Sequence, residues 1–183
     1  VQAGSINAFG IACAGTPPTV CAANNLGGGT LSLETRDLEY AYEATANSAL
    51  SVTGFELWTG SVGGGNVTQT AAIYAASGSA PSLTALATTS ITIGGTQGFY
   101  RADFASPVAI PNGATFYVAV DHNNQTYISS VEPADPGNGF YRSGNDAWAL
   151  SSVATHPSFR ILCSTDGTSI PQLTLNGPPD IGN

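Results

Sequence analysis

The chain has no lysine, and four arginines stand against twelve acidic residues, for a formal net charge of -8. Neutralising a phosphate backbone takes clustered cations, so nucleic acid is excluded as a partner. The acids are scattered, which describes a solvated surface and not an acidic tail. Charged residues make up only 9% of the sequence, far below the usual quarter, so the surface is polar chiefly through hydroxyls and backbone. No apolar run is long enough to cross a bilayer, and the longest, residues 116–120, fits a strand. No segment keeps a helical stripe. There is no G-x-S-x-G nucleophile elbow. The triple glycine at 27–29 is followed by neither lysine nor a helical pattern, so it reads as a hinge and not as a phosphate cradle. The three cysteines lack the close pairs of zinc sites and lie far in sequence from His122 and His156.

What is present is strand after strand. At 183 residues the chain suits one domain with tails. It opens at Val1 with no charged leader before an apolar segment, which we read as a mature secreted chain. Residues 98–122 show the pattern best. Phe99, Arg101 and Asp103 alternate with Tyr100, Ala102 and Phe104; a second run, ATFYVAVDH, follows. Pro107, Pro111 and Asn112-Gly113 between them supply a fixed φ and a positive φ, so a hairpin-like reversal is expected. Residues 30–43 alternate through Leu31 and Leu33 and then, after a polar interruption at Glu34 to Asp37, through Leu38, Tyr40 and Tyr42. In LSVTGFELWT, Gly54 marks a bulge. Residues 68–76 and 83–93 form further strands, the latter through Leu86, Ile91 and Ile93. After a short strand at Tyr127 and Ile128, the 131–138 stretch is a surface loop. Ser143-Gly144-Asn145-Asp146 is a turn between Tyr141 and Trp148, and SFRILC closes the core. Eight to ten strands with turns at these intervals predict an all-β, antiparallel β-sandwich, and their number favours a jelly roll.

Three cysteines cannot all pair in one molecule. Cys21 precedes the first strong strand and Cys163 ends the last, so a Cys21–Cys163 bridge would join neighbouring terminal strands, contributing on the order of 4 kcal/mol. The rival is a local bridge from Cys13 to Cys21 around Pro17-Pro18.

The succession EYAYE, VTGFELWTG, AAIYAASGSAPS, GFYRADFASPVAIPNGATFYVAVDH, GNGFYRSGNDAW and PSFRILC resembles the secreted jelly-roll modules of surface proteins of planctomycete-type environmental bacteria. It is also similar in plan to jelly-roll subunits of extracellular fibrils, which consist of a roll, a linker and one further strand used between subunits. The likeness covers about residues 20–163 and implies a fold without an assigned activity.

That plan matches the organisation of the chain: residues 1–19 an N-terminal arm or edge strand, 20–163 the jelly-roll domain, 164–169 a linker, and 170–183 a C-terminal strand and tail. In the last of these, Leu173 and Leu175 share one face, and Pro178-Pro179 ends the strand. Burying Ile170, Leu173 and Leu175 would contribute roughly 5–8 kcal/mol before ordering costs. Such a strand either returns to its own sheet or completes that of the next molecule. The N-terminal arm is the other candidate for this role.

Among chemical readings, Asp103, Asp121, Asp135 and Asp146 are not brought onto one strand face by any spacing that a glycosidase pair needs. His122 and His156 read as surface residues. Tyr141, Asn145, Asp146 and Trp148 form the best sugar-contact patch, with Trp58 second; the competing role for both tryptophans is to cover core edges. No loop has the ligand spacing of a calcium site. Asn66 and Asn124 head glycosylation sequons. The expectation is a non-enzymatic, cofactor-free structural subunit, extracellular or at the cell surface, whose partners are copies of itself joined by strand donation, with glycans attached. The alternative is a carbohydrate-binding module.

Overall fold

The computed structural model describes residues 18–24, 30–33, 37–123, 126–130, 139–150 and 158–164. In chain order the strands are β1 (Thr19–Asn24), β2 (Thr30–Leu33), β3 (Asp37–Thr45), β4 (Leu50–Thr59), β5 (Val67–Ser77), β6 (Ala80–Pro81) and β7 (Ala87–Ile93). There follow β8 (Gly98–Ile110), β9 (Thr115–Asn123), β10 (Tyr127–Ser130), β11 (Gly139–Arg142), β12 (Ala149–Leu150) and β13 (Phe159–Cys163). The only helical element among the described residues is a single 3-10 turn at Val62–Gly64. The protein is all-β, and every strand pairing described is antiparallel.

A four-stranded sheet, β1-β13-β4-β8, faces a larger one, β12-β11-β3-β9-β5, whose far edge carries β6 and β7 on β5; β2 and β10 form a separate pair. Period-two alternation explains the sandwich. Leu38, Tyr40 and Tyr42 of β3, with Phe116, Val118 and Val120 of β9, point to one side. They meet Phe55 and Leu57 of β4 and Phe159 and Ile161 of β13 in the shared core. Cys21 and Cys163 are joined by a disulfide, Cα atoms 5.8 Å apart, across a sequence separation of 142. Closing a loop of that length removes denatured-state entropy equivalent to about 5 kcal/mol on the chain-entropy account.

Three local features differ from the strand patterns in the sequence. The turn after β8 does not close a hairpin, because β8 lies in the four-stranded sheet and β9 in the larger one. The chain instead changes sheets there, beside the equivalent corner that follows β3. The two corners are tied by hydrogen bonds from Gly113 N to Ala46 O (2.7 Å) and from Ala46 N to Ala114 O (3.0 Å), with Gly113 at φ +76. Pro107 lies inside β8, in a wide bulge where the register jumps from Gly54↔Asp103 to Val52↔Val108. Proline is tolerated at such a bulge because no ladder N–H is required of it. On the β4 side, a Cβ at residue 54 would stand 2.2 Å from the Ala102 carbonyl oxygen, so only glycine allows this approach. Finally, the strand begins at Ala87 and not at Leu83. Leu83 and Leu86 are 65% and 49% exposed, in a segment that folds over the larger sheet.

Candidate functional site

The outer face of the larger sheet carries a second cluster. The residues of β3, β9, β5 and β11 that alternate with the core set are Glu39, Ala41 and Glu43; Tyr117, Ala119 and Asp121; Ala72 and Tyr74; and Phe140 and Arg142. Their register sorts them into three rungs. Arg142, Glu39 and Asp121 form a charged one. Phe140, Ala41, Ala119 and Ala72 form one of mostly small side chains, and Glu43, Tyr117 and Tyr74 a third. The alanines leave a trough that aromatic rings fill, and Tyr117 meets Phe140 edge to face at 5.6 Å.

Tyr74 reaches diagonally over this trough to the charged rung, donating its hydroxyl proton to Glu39 Oε1 at 2.7 Å. The Tyr74 hydroxyl oxygen in turn accepts from Arg142 Nη2 at 2.8 Å. Arg142 Nε donates to Glu39 Oε2 at 2.7 Å, and Nη1 to the Leu83 carbonyl at 3.3 Å. Its guanidinium lies 4.3 Å from the Trp148 ring and 5.2 Å from that of Tyr74. Trp148 donates its indole N–H to the Ser82 carbonyl at 3.1 Å, and Ala80 and Ala85 pack on the same cluster. Residues 80–85 and Trp148 thus roof the network, and Arg142 is only 8% exposed.

Burial and the neighbouring Glu39 push the Tyr74 hydroxyl well above its ordinary range. Burial and Glu43 push Tyr117 up to about 12. Neither phenol therefore ionises near neutrality, which suits a donor and not a base. Asp121 is raised by burial first, then by the charges of Asp37 and Glu39, with Arg142 acting the other way. With its guanidinium nitrogens donating inside the protein and its faces stacked, Arg142 acts as a fastening between sheet and roof.

A different arrangement marks the edge at β1. Among the described residues no strand pairs with the other side of β1. Two recesses open beside it, on either side of Cys21. One, of about 220 Å³, is lined by Ala22, Ala23, Ala44, Thr45 and Phe159 among others. The other, of about 350 Å³, is lined by Thr19, Ala49, Leu50, Ser51 and Cys163 among others.

The sugar-contact residues are divided. Tyr141 pairs with Tyr40 on the core side, ring centroids 6.1 Å apart, whereas Trp148 belongs to the outer cluster. Consecutive residues of β11 face opposite ways, so Tyr141 and Trp148 do not share a surface. Asn145 and Asp146 are exposed in the turn, where Asp146 N bonds Ser143 O at 3.1 Å and Gly144 takes φ +54. Trp58 is half-buried, edge-on to Phe99 at 5.1 Å. Asn66 is exposed. Asp103 is exposed and paired with Arg101 at 2.6 Å. His122, read from sequence as a surface residue, is fully buried. It sits edge-on to Tyr40, with Nδ1 2.7 Å from Thr126 Oγ1, because its register places it on the core side of β9. Asn124, Ile170, Leu173 and Leu175 lie outside the described residues, as do Cys13, Asp135 and His156.

The Glu39–Tyr74–Arg142 network is what sequence reasoning passed over. Its signal was present in phase: Glu39, Ala41 and Glu43 alternate against Leu38, Tyr40 and Tyr42, and in GFYR the arginine shares a face with phenylalanine. Among the described residues no three His, Cys, Asp or Glu side chains gather as a metal site, and no helix is long and apolar enough to cross a membrane. No family model matches the chain, and no curated protein matches it either.

Proposed function

We propose that the protein is a structural subunit of an extracellular or cell-surface bacterial assembly, polymerising by donation of its C-terminal strand to a neighbouring copy. The observation that carries this reading is the edge of β1, an end strand held in place by the Cys21–Cys163 disulfide and unpaired on its other side among the described strands. An edge of this kind invites a further strand. In the C-terminal sequence, Ile170, Leu173 and Leu175 give the apolar pattern such a strand would need. A disulfide also suits an oxidising location outside the cytosol.

A jelly-roll connectivity is part of the proposal. Its support is that the chain crosses repeatedly between the sheets, with β1, β4, β8 and β13 in one and β3, β5 to β7, β9, β11 and β12 in the other. The resemblance to surface modules of planctomycete-type bacteria, and glycan attachment at Asn66 and Asn124, are further parts of it. A carbohydrate-binding role has less support, because the Trp148 indole N–H and one face of its ring are engaged by Ser82 and Arg142.

The test is the double variant Leu173→Asp with Leu175→Asp. Sedimentation and negative-stain microscopy should find monomers where the parent chain forms assemblies, with the thermal midpoint of the subunit unchanged. Assemblies indistinguishable from the parent's would overturn the reading.

A further inference from the structure

We infer that the acceptor of the donated strand is the outer edge of β1, with Leu173 and Leu175 of a second copy seated in the two recesses beside Cys21. This rests on the strand-donation reading and adds to it the residues that receive the strand. The backbone of β1 offers a row of N–H and C=O groups to an incoming strand, and Thr19, Val20, Cys21 and Ala23 are exposed along it. In an added strand, alternate side chains point the same way, about 7 Å apart. The two recesses follow one another along β1. One lies against Ala22 and Ala23 and the other against Thr19, with Cys21 at the partition. Each has an apolar part, Ala22, Ala44 and Phe159 in the first beside Glu43, Thr45 and Asn47, and Leu50 and Cys163 in the second beside Thr19 and Ser51. Leu-Thr-Leu at 173–175 carries two leucines at this spacing.

Direction favours a neighbour's strand over the molecule's own. Every pairing described is antiparallel, and β13 leaves the sheet at Cys163, opposite Thr19. A strand antiparallel to β1 enters at the Asn24 end and leaves at the Thr19 end. With Leu173 level with Ala22, Ile170 falls beyond Asn24, about 20 Å back along the strand direction from Ser164. The six steps from Ser164 to Ile170 reach about 20–22 Å at full extension. The molecule's own tail would therefore be drawn straight, with no length left for the two reversals that the path requires. A tail arriving from a second copy meets no such limit.

The experiment uses full-length chains. Thr45 and Ala49 are exposed at the rims of the two recesses, so Thr45→Trp with Ala49→Trp plugs both while leaving the core alone. The plugged chain should raise the concentration at which assemblies appear by at least about tenfold. Mixed in equal amounts with Leu173→Asp/Leu175→Asp chains, it should give pairs that grow no further, because each partner lacks one half of the joint. As a second readout, Ala49→Cys with Leu175→Cys should give a disulfide-linked ladder on a non-reducing gel that neither single substitution gives. If the plugged chain assembles like the parent while the Leu173→Asp/Leu175→Asp chain does not, the acceptor lies elsewhere and donation stands. Absence of the ladder likewise overturns the β1 acceptor. If the Leu173→Asp/Leu175→Asp chain itself assembles normally, donation falls and the acceptor with it.

Discussion

The two outer faces of the sandwich hold the same kinds of side chain at different depths. On the four-stranded sheet, Arg160 pairs with Glu56 at 3.1 Å and lies 3.6 Å from the Phe99 ring, which Trp58 meets edge-on. On the larger sheet, Arg142 pairs with Glu39 at 2.7 Å between Tyr74 and Trp148. The first pair is 29% and 22% exposed, the second 8% and 12%. What separates them is the roof of residues 80–85, which exists over one sheet and has no described counterpart over the other. Water near Arg160 screens the charges and offers alternative partners. At Arg142 the protein must supply every partner, so loss of any one leaves a buried group unsatisfied. Similar chemistry is thus ornamental on one face and structural on the other.

The largest expected effect breaks the buried half of this contrast. Arg142→Ala leaves the Glu39 carboxyl under the roof without its cation and removes a donor from Tyr74, and should cost about 3–5 kcal/mol, the range for opening a buried pair from one side. Denaturant unfolding measures it. Replacing both partners, Arg142→Met with Glu39→Gln, should cost distinctly less, because no uncompensated charge remains. A loss under about 1 kcal/mol for Arg142→Ala would mean that water already reaches the site, and the distinction between the faces would collapse.

On the exposed face, Arg160→Ala should cost about 1 kcal/mol or less, divided between the Glu56 pair and the contact with Phe99. Salt sharpens the comparison. Between 0.15 and 1 M ionic strength the screening length falls from about 8 to 3 Å, so the ion-pair share of the Arg160 effect should shrink while that of Arg142 stays. Equal salt sensitivity in the two variants would show that the roof does not exclude solvent.

How much of this could be read beforehand follows from what fixes each feature. Strand phase is local, so the inward set of β3, Leu38, Tyr40 and Tyr42, is legible from spacing alone, as is the break at Gly54. Which strands neighbour one another depends on long-range pairing, and here the sequence misleads: Asn112-Gly113 resembles a hairpin turn but serves a corner between sheets. The roof was obscured for a related reason. Leu83 is in phase with Ala87, Ile91 and Ile93, and nothing local says that it turns outward while its carbonyl receives Arg142. Tyr141 and Trp148 look like one patch at a turn because both are aromatic. Only the register of β11 against β3, Tyr141 opposite Tyr40 and Arg142 opposite Glu39, assigns them to opposite faces.

The smallest expected effect tests the charge balance beside the buried pair. Burial, with Asp37 and Glu39 nearby, raises the Asp121 carboxyl above its ordinary 3.8, against the pull of Arg142. The folded state therefore keeps this proton at pH values where the unfolded chain has lost it. Ionised Asp121 weakens the fold above its raised pKa, and the penalty fades as pH falls, vanishing below the ordinary aspartate value. Asp121→Asn should thus stabilise the protein at pH 7 by about 0.5 kcal/mol, a modest figure because the half-buried carboxyl is screened. At pH 3.5 the gain should be nearly gone, since wild type then carries a largely neutral side chain in both states. Unfolding curves for the two proteins at both pH values decide the matter. A gain that is the same at both would assign the effect to packing of the amide, and Asp121 would then have no part in the electrostatics of the Glu39–Arg142 pair.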